Sequence, residues 1–158
     1  MNHWRKQIQR DENIAVFPKS GGRVVLNQHS QTEWFTFLND RFNELTALPI
    51  GWDGYASRPV LFTVAKFTAD LLQRLYDADL PPPSLVPGSD GTLQFEWHIN
   101  QYDVEVDVQD AYNVVATRYD YETGQTEELE LDTDFSGLAS WVSDLKSNRM
   151  ATSVTKVA

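Results

Sequence analysis

The sequence predicts an α+β, two-layer domain: a four-stranded antiparallel meander with about three helices packed on one face. Three observations lead there. Apolar residues recur every three or four positions until about residue 80 and then, from Thr92, every second position, as expected where helix gives way to half-buried strand. The two patterns run helix, helix, strands, helix instead of alternating, which separates α+β from α/β. The 158 residues, 41% of them hydrophobic and 19 of them Trp, Tyr or Phe, are enough for one aromatic-rich core and too few for two.

In chain order, residues 1–30 read as an N-terminal arm with short edge strands at 14–17 and 24–26 around Pro18 and Gly21-Gly22. A single domain follows over 31–148. Ser30-Gln31-Thr32-Glu33 has the capping-box form, in which a hydroxyl and a carboxylate satisfy free amide donors at a helix start. Trp34, Leu38, Phe42 and Leu45 then mark one buried face of a helix that stops near Leu48-Pro49. The link Pro49-Ile50-Gly51-Trp52-Asp53-Gly54-Tyr55-Ala56-Ser57-Arg58-Pro59 leads to a second helix at about 60–79, with Val64, Phe67, Leu71 and Leu75 on one side. Pro81-Pro82-Pro83 cannot extend it, because each ring removes an amide donor. The next stretch, Pro87-Gly88-Ser89-Asp90-Gly91, is a turn-rich entry to the sheet.

A two-residue loop at Asn100-Gln101 pairs Ile99 with Tyr102, Trp97 with Val104, Phe95 with Val106 and Leu93 with Val108, so every inward pair is apolar. The opposite face then pairs His98 with Asp103, Glu96 with Glu105 and Gln94 with Asp107. A third strand at 112–119 fits through a three-residue loop that sets Val114 against Val106 and Ala116 against Val104. It would add Val115, Thr117 and Tyr119 to the acidic face. After the turn Glu122-Thr123-Gly124-Gln125, Leu129 and Leu131 face inward while Glu128 and Glu130 face out. Asp134 caps a last helix with Phe135, Leu138, Trp141, Val142 and Leu145 on its apolar side, and residues 149–158 read as a flexible tail.

Charge is distributed unevenly. The formal net charge is −10. Residues 1–82 hold nine Lys/Arg and nine Asp/Glu, whereas residues 83–158 hold four and fourteen, so the whole excess lies in the second half. Between Asp90 and Asp134 there are thirteen acids and a single base, Arg118. Such a surface repels phosphate backbones and anionic lipid, which argues against direct nucleic-acid or membrane binding. No apolar run approaches the ~20 residues of a membrane span, and the basic start lacks the apolar stretch of a secretory signal, so a cytoplasmic location is expected.

Absence of Cys removes thiolate catalysis, disulfides and Cys-ligated metals. Three His, at positions 3, 29 and 98, form no i, i+4 pair, and no phosphate-cradling Gly motif or G-x-S-x-G elbow is present, so neither a cofactor nor a metal is implied. His98 beside Asp103 and Glu96 has the composition of an acid/base group but would sit on an open strand face, where an ion pair is the plainer reading. Asp53 is a candidate carboxylate that reads more simply as the Asp of an Asp-Gly turn, with Trp52 and Tyr55 plugging the junction between two helices. Asp103, Glu105 and Asp107 recur every ~6.7 Å along one strand face, about twice the 3.4 Å rise per phosphate of a DNA strand.

The Leu48–Pro59 stretch, the amphipathic helix after it and the strand Asp90-Gly91-Thr92-Leu93-Gln94-Phe95-Glu96-Trp97 resemble a group of small uncharacterised bacterial and phage proteins. In that group an LP-x-GWDGYGA-x-P segment precedes a helix and a P-DG-x-x-x-EW strand opens a sheet. The likeness covers about residues 34–108. It departs at Ser57-Arg58, which follow Tyr55-Ala56 without the further glycine. The resemblance implies a prokaryotic or mobile-element origin and brings no catalytic residue, leaving Trp52, Asp53, Gly54 and Tyr55 as a structural motif.

The expectation is therefore a non-enzymatic, acidic protein-binding module. Its partner-binding residues would be Glu96, Asp103, Glu105, Asp107, Glu128 and Glu130, with Tyr119 as a packing anchor, and its partner a basic protein surface. One version is a phage or mobile-element inhibitor that occupies a nucleic-acid-binding surface by charge mimicry. Two alternatives stand beside it: a hydrolase or metal-dependent enzyme using Asp53 or the His98/Asp103/Glu96 group, and an antitoxin-like partner of a small basic protein.

Overall fold

A computed structural model describes residues 33–146. Three helices, α1 (Glu33–Thr46), α2 (Phe62–Leu75) and α3 (Ser136–Asp144), accompany five strands: β1 (Ser84–Pro87), β2 (Leu93–Ile99), β3 (Tyr102–Asp110), β4 (Asn113–Asp120) and β5 (Gln125–Leu131). The strands form one antiparallel sheet in the order β1-β2-β3-β4-β5. The α+β class holds, but the sheet has five strands where the sequence suggested four. The extra strand is β1. Its four residues show no alternation long enough to read, and they follow the Pro81–Pro83 break and end on Pro87, which reads as the start of a turn. The arm at 1–30, with its expected edge strands, the Ser30–Thr32 part of the capping box and the tail at 149–158 lie outside the described residues.

The β2–β3 hairpin has the expected register, from Leu93 opposite Val108 to Ile99 opposite Tyr102. Its loop residues Asn100 and Gln101 both have positive φ, 51° and 71°, as a two-residue turn matched to strand twist demands. The next hairpin differs from expectation. Val114 faces Val108 and Ala116 faces Val106, because the register shifts between Val108 and Asp110 and the chain turns at Ala111-Tyr112. Tyr112 takes φ 60°, a left-handed conformation uncommon for an aromatic residue. The expected pairing was displaced by two residues, an even number, so every side chain remains on its expected face.

Helix α2 occupies less than the expected 60–79. It ends at Tyr76, whose ψ of 132° leaves the helical region well before the proline run. Asp134 does serve the start of α3: its Oδ1 accepts the Ser136 amide at 2.9 Å. Buried residues of all three helices join the inward strand residues in one core, with Leu38, Phe42, Val64, Leu72, Phe95, Val104, Val106, Ala116, Leu138 and Leu145 fully shielded. Trp97 and Trp34 lie in that core with their indole N–H groups satisfied by Pro81 O (2.9 Å) and Leu80 O (3.1 Å).

Candidate functional site

The helices cover one side of the sheet, so alternate residues of each strand form a second, opposite surface. Strand registers place these residues in cross-strand rows. Val86, Gln94, Asp107, Val115 and Glu130 make one row, Ser84, Glu96, Glu105, Thr117 and Glu128 the next, and His98, Asp103, Tyr119 and Thr126 a third. All seven residues expected to meet a partner, Glu96, Asp103, Glu105, Asp107, Tyr119, Glu128 and Glu130, fall on this one face. No Lys or Arg occupies any of the positions in these rows.

Arg118, the single base between Asp90 and Asp134, points to the other side. Its guanidinium lies 4.8 Å from the Trp141 ring and 5.3 Å from that of Tyr102, bonds Asp144 at 2.8 Å and also pairs with Glu127. Desolvation pulls its pKa down, but the two carboxylates outweigh that and raise it. A cation committed beneath the sheet cannot neutralise the face above it.

Within the face, His98 bridges two strands' worth of acid. Its Nδ1 is 2.7 Å from Asp103 Oδ1 and its Nε2 is 3.4 Å from Glu96 Oε1. The bond to Asp103 raises the His98 pKa above the usual histidine value, partial burial opposes that, and Glu96 adds to it. Desolvation pushes Asp103 upward, yet hydrogen bonds from Tyr121 and His98 bring it net below the ordinary carboxylate range. Tyr121 completes this group by donating its hydroxyl to Asp103 Oδ2 at 2.6 Å, and its ring meets that of Tyr119 edge-on at 4.8 Å. Sequence reasoning missed Tyr121. It lies beyond the alternating run, and only the bond from its amide to Gln101 O, joining the two hairpin loops, returns it to Asp103. Gln94 was also overlooked as a partner: its amide donates to Glu96 Oε2 at 3.1 Å. At Asp107, desolvation raises the carboxyl pKa.

The His98 group opens onto a shallow hollow lined by Asn100, Gln101, Asp103 and Tyr121. Both imidazole nitrogens already face carboxylates, so neither is directed at a reacting group in the hollow. Among the described residues, no set of three or more His, Asp and Glu is arranged to hold a metal ion.

Asp53 belongs to a different place and a different job. The Ser57 hydroxyl and the Tyr55 amide hold its carboxyl below the ordinary range, with the Tyr55 N–H 2.8 Å from Oδ1. Gly51 and Gly54 have φ of 77° and 86°, Gly51 N bonds Ser57 O at 2.7 Å, and the Trp52 indole donates to Arg58 O at 2.9 Å. This loop and the start of α2 are tied to the turn between β1 and β2 through Arg58 N to Ser89 O and Leu61 N to Gly91 O. Those contacts lie at the Leu93 end of β2, five residues and roughly 17 Å from His98, so the two candidate carboxylate groups do not meet. Tyr55 does not plug the helix junction as expected. It is 87% exposed, because the turn held by Asp53 directs it outward.

No family model, curated protein or solved structure matches this chain. No described helix is long and apolar enough to cross a membrane.

Proposed function

We propose that the outer face of the sheet is the working surface of the protein and that it docks a basic surface of another protein. The observation that carries this reading is the set of three rows, which gathers Glu96, Asp103, Glu105, Asp107, Glu128 and Glu130 on one side with no Lys or Arg among them. Arrays of one charge sign steer an oppositely charged partner and accelerate encounter. Thr117, Val115 and Tyr119 interrupt the acids with less polar surface, as binding patches with a charged rim do. The acid spacing along β3, about 6.7 Å, suits a groove built to accept phosphates, so a protein that normally grips nucleic acid is the partner class this face would block. Phage or mobile-element origin would be consistent with such an inhibitor.

The test is capture from the native host at low salt by the full chain and by its Glu105→Lys/Asp107→Lys variant. The expected result is a basic, nucleic-acid-binding protein retained by the wild type, lost from the variant and released by moderate salt. Equal retention by both proteins would reject the face as the docking surface.

A further inference from the structure

The two ends of the sheet differ in a way that points to how a partner attaches. An edge strand offers unpaired amides and carbonyls to any extended chain, and proteins usually blunt such edges by shortness, proline or cover. Edge strand β1 has all three. It is four residues long, follows Pro83 and ends on Pro87, and its Leu85 carbonyl accepts the Arg41 guanidinium of α1 at 3.1 and 3.3 Å.

Edge strand β5 has none of them among the described residues. It runs for seven residues without proline, Gln125 to Glu128 are all exposed, and no strand among the described residues lies on the side away from β4. What guards it is charge, from Glu128 and Glu130 on the outer face, since Glu127 is paired with Arg118. That charge repels a second copy of the same edge and attracts a basic segment.

We propose that β5 is completed by an extended, basic segment of the partner, added as a sixth strand. This rests on the docking role assigned above to the outer face and specifies its attachment point. The alternation of β5 dictates what the added strand must carry. Residues beside Glu128 and Glu130 would face outward and meet carboxylates, so Lys or Arg belongs there. The residue beside Leu129 would face the helical side, where Leu129 is half-buried against Gly137 of α3, so an apolar, β-branched residue belongs there. The partner segment is thus a basic–apolar–basic triplet within a strand, held by main-chain bonds for affinity and by alternate side chains for specificity.

Titration of the isotope-labelled full chain with two peptides of about six residues tests this. In one, Lys and Val alternate; the other has the same composition with the Lys residues grouped. We expect the alternating peptide to bind at least tenfold more tightly, to slow amide exchange along β5, and to lose that advantage against Glu128→Lys/Glu130→Lys. Equal binding of both peptides, with shifts across Asp103, Glu105 and Asp107 and no protection of β5, would overturn strand addition while leaving the docking face in place. Binding of neither peptide at low salt would overturn both.

Discussion

Val104 and Glu105 are neighbours in β3, yet they belong to surfaces that obey different rules. Val104 is fully shielded in the core shared by the helices and the inward strand residues, so its shape is constrained from every direction. Glu105 lies opposite Glu96 and Thr117 on a face that none of the described helices covers, where packing demands little and composition is free to serve electrostatics. The lesson is that the anionic character of the outer face is not required by folding. Glu96 opposite Glu105 even opposes it, since like charges on facing strands are destabilising.

The strongest way to break this contrast is to truncate one residue on each side. Phe95→Ala, at a site with no exposure, should lower stability by about 3–5 kcal/mol. Thr117→Ala on the outer face should change it by less than about 0.5 kcal/mol. Urea unfolding of the two variants measures both, and a similar cost for each would mean that the outer face is packed after all.

A smaller effect is expected at the single base that crosses the rule. Arg118→Ala should cost about 2 kcal/mol, chiefly from uncovering Tyr102 and Trp141. The Glu127 and Asp144 side chains are about half exposed, so screening leaves their ion pairs a minor share. Arg118→Met, which keeps the apolar stem, should therefore recover most of the loss in the same unfolding assay.

The smallest effect concerns pH. The folded pKa of His98 lies above the unfolded value, so its contribution is fully present below about pH 6.5 and disappears as pH rises through the folded pKa. The ring is half exposed, which keeps the contribution modest. His98→Gln should flatten that part of the stability profile, and the His98 imidazole resonance should titrate above the ordinary histidine range. Above that pKa the face gains one unit of net negative charge, so attraction for a basic partner should rise there.

Much of this contrast was legible in the residues themselves. Strict alternation from Leu93 to Val108 leaves one hairpin register that buries only apolar pairs, and the Asn-Gln loop length agrees with it, so local and cross-strand signals coincide. At the next hairpin they do not. The irregularity near Gln109 and the left-handed Tyr112 have no composition signal, since a Gly or Asn would be the expected residue at that φ. β1 was hidden because four residues that follow one proline and end on another carry too little periodicity, although its pairing to β2 is what makes Leu85 a core residue. Tyr121 was illegible for another reason: a long-range contact between two loops brings it to Asp103, and sequence spacing holds no record of that contact. The inward turn of Arg118 follows from its place in the alternation of β4, but its aromatic and acidic partners on α3 do not.

The most direct measurement is the association rate of the captured partner with the wild type and with Glu105→Lys/Asp107→Lys, followed across ionic strength, with urea midpoints taken on the same preparations. The expected result is matching midpoints, a slower encounter at low salt for the variant and a flatter salt dependence. An unaltered low-salt rate in a variant that folds as stably as its parent would contradict it.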